Sequence, residues 1–155
     1  MYRLSSNKIT SKGANILFDT LKNNQISIET AYIDGNDLDD ECMASLGELI
    51  NNNKTIKEIR LSGNYFKNGR ITDRGIEIFS QYLIGNKNLI YLSLSYNSMI
   101  TGSSVPIFEE ILKNSKLETL ELYGTSIISQ QHGLFILAAI NSLINGKYKI
   151  ELVYG

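Results

Sequence analysis

LIYLSLSYN, residues 89–97, is the stretch on which the reading of the fold turns. Leu92 and Leu94 lie two apart, on one side of an extended strand, Leu89 stands three places before them, and Asn97 follows three places after. The spacing recurs in LETLELYGT at 117–125, IKEIRLSGN at 56–64 and IETAYIDGN at 28–36, with partial copies in LSSN at 4–7 and IEL at 150–152. The last apolar residue of each copy stands at 4, 33, 61, 94, 122 and 152, in steps of 29, 28, 33, 28 and 30. The long step has a local cause, because ITSKG at 9–13 aligns with ITDRG at 71–75 only if FKNGR, 66–70, is an insertion. A period of this size marks a repeat architecture, in which a unit too small to bury its own apolar side stacks on its neighbours.

Between the strands the apolar period changes from two to that of a helix. Ala14, Leu17, Phe18 and Leu21 fall at i, i+3, i+4 and i+7, and Cys42, Leu46, Leu49 and Ile50 at i, i+4, i+7 and i+8. Ile76, Phe79 and Leu83, then Phe108, Ile111 and Leu112, and finally Ile136, Ile140, Leu143 and Ile144 repeat the stripe. Candidate N-caps are Thr10 or Ser11, Asp39 or Asp40, and Thr72 or Asp73. Pro106 falls in the first turn of the fourth helix, where a missing N–H costs nothing. The pattern therefore predicts five strand-plus-helix units and a final strand.

LxxLxLxxN followed by a helix, at about 28 residues, resembles the leucine-rich repeats of the ribonuclease-inhibitor type, and the resemblance runs from Leu4 to Leu152. It implies an α/β fold: a right-handed β-α solenoid, with a curved parallel sheet on the concave face and helices on the convex face. Residues 1–155 are then one leucine-rich-repeat domain, or a fragment of a longer array. Thr125 departs from the pattern in the asparagine slot, and Ala31 in a strand-leucine slot.

Stacking predicts inward ladders of Leu61, Leu94 and Leu122 and of Ile59, Leu92 and Leu120. Asn7, Asn36, Asn64 and Asn97 are expected to form a structural asparagine ladder, because an amide can both donate and accept where the chain turns inward. The residues between the strand leucines point the other way: Thr30, Tyr32 and Asp34; Glu58, Arg60 and Ser62; Tyr91, Ser93 and Ser95; Thr119, Glu121 and Tyr123; Lys149, Glu151 and Val153. Aromatic and arginine anchors in a polar surround favour interface cores, which makes Tyr32, Glu58, Arg60, Tyr91, Glu121 and Tyr123 the candidate partner-binding patch. The alternative is ordinary half-exposed strand residues whose charges pair across strands. Phe66 and Arg70 of the insertion are a second candidate surface, although Phe66 is expected to fill the core slot that Leu38 and Met99 fill in their own repeats.

The composition narrows the function classes. A chain of 155 residues buries roughly two thirds of the surface it exposes unfolded and needs no staple. Fifteen basic against sixteen acidic residues leave no positive field for nucleic acid or anionic lipid, so neither partner is expected. Cys42 stands alone, which excludes an internal disulfide or a cysteine-based zinc cluster. Residues 1–20 lack a signal-peptide pattern and no run of about 18 apolar residues occurs, which points to the cytoplasm. The acidic stretch 34–41 fails as a calcium loop because Leu38 and Ser45 occupy ligand positions. His132 has no spaced nucleophile or acid, so no catalytic residue, metal or cofactor is expected. Asn53-Lys54-Thr55 fits a glycosylation sequon that matters only in a secreted protein.

The expected role is a non-enzymatic protein-binding scaffold with a protein partner on its concave face. Alternatives are a regulator of a small GTPase, since some GTPase-activating proteins resemble this repeat type, an actin-filament-end binder resembling the tropomodulin repeat domain, and a targeting module of a larger effector. The stretch 134–140 is apolar all round, which suggests a helix buried on more than one side, and the strand 149–153 suggests edge-to-edge self-association at the C-terminal strand as a further expectation.

Overall fold

A computed structural model describes residues 1–23, 26–64, 66–127 and, for the backbone, 149–151. Six short strands form one sheet in chain order, β1 (Tyr2–Arg3), β2 (Thr30–Tyr32), β3 (Glu58–Arg60), β4 (Tyr91–Ser93), β5 (Thr119–Glu121) and β6 (Lys149–Glu151), and every neighbouring pair is parallel. Helices α1 (Ser11–Asn23), α2 (Met43–Asn52), α3 (Asp73–Leu83) and α4 (Val105–Asn114) follow the first four strands. Short 3-10 turns at Asp40–Cys42 and Gly102–Ser104 lead into α2 and α4. The expected fifth helix and His132 lie outside the described residues.

Register follows the repeat. Ala31, Ile59, Leu92, Leu120 and Ile150 are partners across β2 to β6, so the side of the sheet they occupy is one continuous row. Ile33, Leu61, Leu94 and Leu122, one residue past each strand, form a second buried row, and Ile28, Ile56, Leu89 and Leu117 a third. The helix stripes close on these rows: Phe18, Phe79 and Phe108 are fully buried at equivalent places. Truncating any of these leucines to alanine should cost about 2–5 kcal/mol through lost burial and the cavity left behind.

Two polar ladders tie the units together. At the strand exits, the Asn97 amide donates to the carbonyls of Leu61 at 3.1 Å and Leu94 at 2.9 Å and accepts from the Ile71 N–H at 3.2 Å, all in a fully buried position. Asn36 repeats this with the Leu4 and Ile33 carbonyls and the Ile9 N–H. Thr125 keeps only part of the pattern, its hydroxyl donating to the Leu122 carbonyl at 2.8 Å while the Ile100 N–H turns back to the Asn97 carbonyl. Asn7 is exposed and, among the described residues, bonds only to the carbonyls of its own turn, Leu4 and Ser5.

Asn64 departs from the expected ladder. Its side chain accepts from the N–H groups of Phe66 at 3.0 Å and Lys67 at 2.8 Å, capping the insertion that begins beside it instead of bridging to the unit before. The extra residues supply new donors at short range, and a local partner costs less ordering than one a repeat away.

At the helix starts, Thr10, Asp39, Thr72 and Thr101 mark the caps. The Asp39, Thr72 and Thr101 side chains accept from the N–H two residues on, and Thr10 sits against Gly13 and Ala14. The residue after each of the first three reaches the cap of the next unit: Ser11 donates to Asp39 at 2.6 Å, Thr72 to Asp40 at 2.7 Å and Thr101 to Asp73 at 2.7 Å.

Candidate functional site

Helices cover one side of the sheet and leave the other open. On the open side Arg60 of β3 is the centre of a packed cluster. Its Nε donates to Glu58 at 2.7 Å, and its guanidinium lies 4.9 Å from the Tyr32 ring centre and 4.8 Å from that of Tyr91. Parallel register creates this sandwich, because Tyr32 and Arg60 are partners between β2 and β3 and Tyr91 is the partner of Glu58 between β3 and β4. The Tyr32 hydroxyl donates to Glu58 at 3.2 Å, and Arg3 stands 5.9 Å from the Tyr32 ring at the β1 edge. Each cation–ring contact contributes about 0.5–1 kcal/mol at such half-exposed sites, so the cluster is held mainly by stacking.

The Tyr91 hydroxyl is enclosed without a hydrogen-bond partner among the described residues. Burial first, and the nearby Glu121 carboxylate second, push its pKa well above the ordinary phenol value.

Beside the cluster, over β3 to β5 and the turns that follow them, lies an open cavity of about 540 Å³. Arg60 forms one wall, Asp34 and Glu121 contribute carboxylates, and Tyr96 and Tyr123 form the far corner. The two rings meet edge to face, with centres 4.9 Å apart and planes at 87°. Ser62 and Ser93 share a 2.7 Å hydroxyl–hydroxyl bond beside the walls.

Tyr96 owes its place to an unusual backbone. The second residue after the strand-end aliphatic turns left-handed at Ser6, Gly35, Tyr96 and Gly124, with φ of 58°, 67°, 56° and 67°, whereas Gly63 beside the insertion does not. Bulky residues avoid this region because Cβ crowds the following carbonyl, at about 1–2 kcal/mol. The Tyr96 ring lies against Gly124, where an added Cβ would come within 2.9 Å of it.

The six residues expected on this face divide between the two features. Tyr32, Glu58, Arg60 and Tyr91 form the stacked cluster, while Arg60, Glu121 and Tyr123 line the cavity. Tyr96 was not among them. The signal was present as a tyrosine in a slot that Gly35, Gly63 and Gly124 fill elsewhere.

The insertion 66–70 is fastened to its surroundings. Lys67 pairs with Asp37, Arg70 with Asp39 at 2.8 Å, and the Gly69 N–H donates to the Tyr96 carbonyl at 2.7 Å. Gly63 and Gly69 permit that approach, since a Cβ on either would stand within 2.4 Å of backbone or of Asn97. Phe66 does not fill the core slot expected of it. It is 95% exposed and Met99 is 47% exposed, whereas Leu38 is buried. The lengthened loop carries Phe66 outward, and Ile71 takes up the burial beyond it.

No protein-family model and no curated protein matches this sequence. Among solved structures the fold matches the actin-binding site 2 of leiomodin-1, with a TM-score of 0.70 at 19% identity, over 91% of this chain and 78% of that one. The fold is that of a leucine-rich-repeat solenoid. Leucine-rich-repeat units explain why the open face is built from single residues of successive strands, so that its chemistry varies without disturbing the core.

Other features of the sequence are absorbed by the scaffold. In the acidic stretch 34–41, Asp37 and Asp39 pair with Lys67 and Arg70, and Asp40 accepts from Thr72. No group of three or more His, Cys, Asp or Glu among the described residues is placed to hold a metal ion. Asn53 donates to the Ile26 carbonyl at 2.8 Å and accepts from the Thr55 N–H and hydroxyl, so the sequon is part of the turn into β3. Asn86 accepts from Asn88 and Leu89 at the equivalent turn into β4, a second asparagine position that the strand pattern alone had not singled out. No helix among the described residues is long and apolar enough to cross a membrane.

Proposed function

We propose that this chain is a non-enzymatic protein-binding scaffold of the ribonuclease-inhibitor-like repeat type, acting in the cytoplasm and without a cofactor. It engages its partner through the open strand face. The observation that carries this reading is the cavity of about 540 Å³ on that face, walled by Arg60, Glu121, Tyr96 and Tyr123 next to the stacked Tyr32–Arg60–Tyr91 cluster. Tyrosine and arginine anchors around a concave, half-polar surface are the chemistry on which a few residues carry most of an interface's binding energy.

The test compares wild type with a Tyr91→Ala/Tyr123→Ala chain in affinity capture followed by mass spectrometry, with unfolding curves confirming that both fold. Partners retained by wild type and lost by the variant support the reading. Partners held equally by both, and lost instead when Phe66 and Arg70 are replaced, move the interface to the insertion.

A second reading has one specific support. The solved neighbour is an actin-binding site, and the match spans most of both chains, so actin is the first named partner to test. Co-sedimentation with filaments, and the effect on elongation at each filament end, would decide it. No sedimentation and unchanged elongation at a large excess of the chain would remove actin from consideration.

A further inference from the structure

The cavity on the open face has a charge pattern that selects its occupant. Among the described residues Arg60 is the only base in its walls, and its charge is already engaged by Glu58 and stacked against two rings. Asp34 and Glu121 make no ion pair among the described residues. Among the described residues Asp34 accepts only the Ser62 N–H at 3.1 Å and the Ser5 hydroxyl at 3.4 Å. Two carboxylates without an ion-pair partner among the described residues therefore line the same space. Tyr96 and Tyr123 close the far side as a right-angled aromatic corner.

An anion entering here would meet Asp34 and Glu121 with Arg60 already occupied. An apolar group would strip water from the carboxylates and return nothing for it. A cation meets both needs, since carboxylates offset its charge and ring faces attract it. At about 540 Å³ the space exceeds one side chain and suits a side chain together with the backbone that presents it. We propose that the cavity receives a lysine or arginine side chain carried by an exposed segment of the partner protein, its charge between Glu121, Asp34 and the Tyr96–Tyr123 corner. The inference rests on the open-face reading and adds to it the chemistry of the anchor.

The probe is a random dodecapeptide library displayed on phage, selected against the immobilised full chain. Enriched peptides are resynthesised and titrated by fluorescence anisotropy. The expected result is a basic residue common to the enriched peptides. Its replacement by norleucine should weaken binding about tenfold or more, and Glu121→Gln in the protein about threefold to tenfold. The Glu121 effect should shrink in high salt, as exposed charge pairs do. Glu121→Gln keeps the side chain's shape, and the norleucine arm leaves the protein untouched, so a folding defect cannot imitate the result. Enriched peptides without a basic residue that bind Glu121→Gln as well as wild type, yet fail on Tyr91→Ala/Tyr123→Ala, overturn the cation anchor and leave the face reading standing. Peptides indifferent to every face variant overturn both. A library that yields no binder overturns a peptide-segment occupant.

Discussion

Asn97→Ala should unfold this chain far more readily than Asn64→Ala, although both asparagines hold the same slot of the repeat. Asn97 is fully buried and closes three good hydrogen bonds, to the Leu61 and Leu94 carbonyls and from the Ile71 N–H, at 2.9–3.2 Å. A fourth contact, to the Ser95 carbonyl at 3.4 Å, is long enough to discount. Alanine leaves those groups in a fully buried place without their protein partner, and each buried group left unpaired costs about 1–3 kcal/mol. With some relaxation the total is about 3–5 kcal/mol, which for a chain of this size lowers the melting temperature by roughly 10–15 °C. Asn64 is half-exposed and caps a surface loop, so water replaces its bonds and the cost is about 1 kcal/mol or less. Urea unfolding followed by circular dichroism measures both, with equal slopes required before midpoints are compared. Asn97→Asp refines the result: it keeps the acceptor for Ile71 but turns a carboxylate toward two carbonyl oxygens, so its stability should improve as pH falls and the acid protonates. If Asn64→Ala costs as much as Asn97→Ala, the distinction between bridging and loop-capping asparagines is wrong.

Further outcomes can be measured in the same way. Tyr96→Gly relieves a left-handed backbone worth about 1–2 kcal/mol and gives up an edge-to-face contact worth about 0.5–1.5 kcal/mol, so stability should hardly change while binding at the open face weakens. Gly124→Ala, at φ of 67° and under the Tyr96 ring, should destabilise by at least about 1 kcal/mol in urea titration, and a neutral result would show that the ring moves freely. Burial alone would raise the Asp73 pKa, but the Ser104 and Thr101 hydroxyls and the Thr101 N–H prevail and hold it below the ordinary 3.8. Its contribution is therefore present above pH 3.8 and lost as pH falls through the lower folded value, so wild type should lead Asp73→Asn at pH 7 and the gap should close in acid; a constant gap would contradict the shift. Cys42 is fully buried, which pushes its thiol up to about 11. It should resist disulfide reagents at pH 8 until denaturant is added, and rapid labelling of the native chain would show that α2 opens.

The stacking order was legible because it depends on period. Leu61, Leu94 and Leu122 recur at fixed places, and stacking in register buries all three in one row. The open-face composition was legible for the same reason, as side chains alternate along a strand. Closing of the six candidates into one patch was not, because that depends on which neighbours stack: Arg60 is drawn to Tyr32 and Tyr91, and Glu121 is left on the cavity side. The insertion 66–70 could be located by alignment, but its effects on Asn64 and Phe66 come from loop geometry that no periodic signal encodes. Tyr96 was hidden by its slot, since a tyrosine inside a strand motif reads as ordinary until the left-handed backbone of its equivalents is known.

The helix caps show how the scaffold frees the open face for binding. Where the cap is Asp39, its partner from the unit before is a donor, Ser11; where the caps are Thr72 and Thr101, the partners are acceptors, Asp40 and Asp73. The chemistry swaps sides while the bond is preserved, so the ladder constrains a pairing between units and not a residue type. Together with Asn36 and Asn97 at the strand exits, these bonds fasten each unit at both ends of its strand–helix junction, leaving Tyr32, Arg60, Tyr91, Glu121 and Tyr123 with no part in either ladder. Stability and recognition are thereby carried by different residues of the same repeat. Substitutions on the open face should change what the chain binds before they change whether it folds, whereas the reverse should hold for Asn36, Asp40, Asp73 and Asn97.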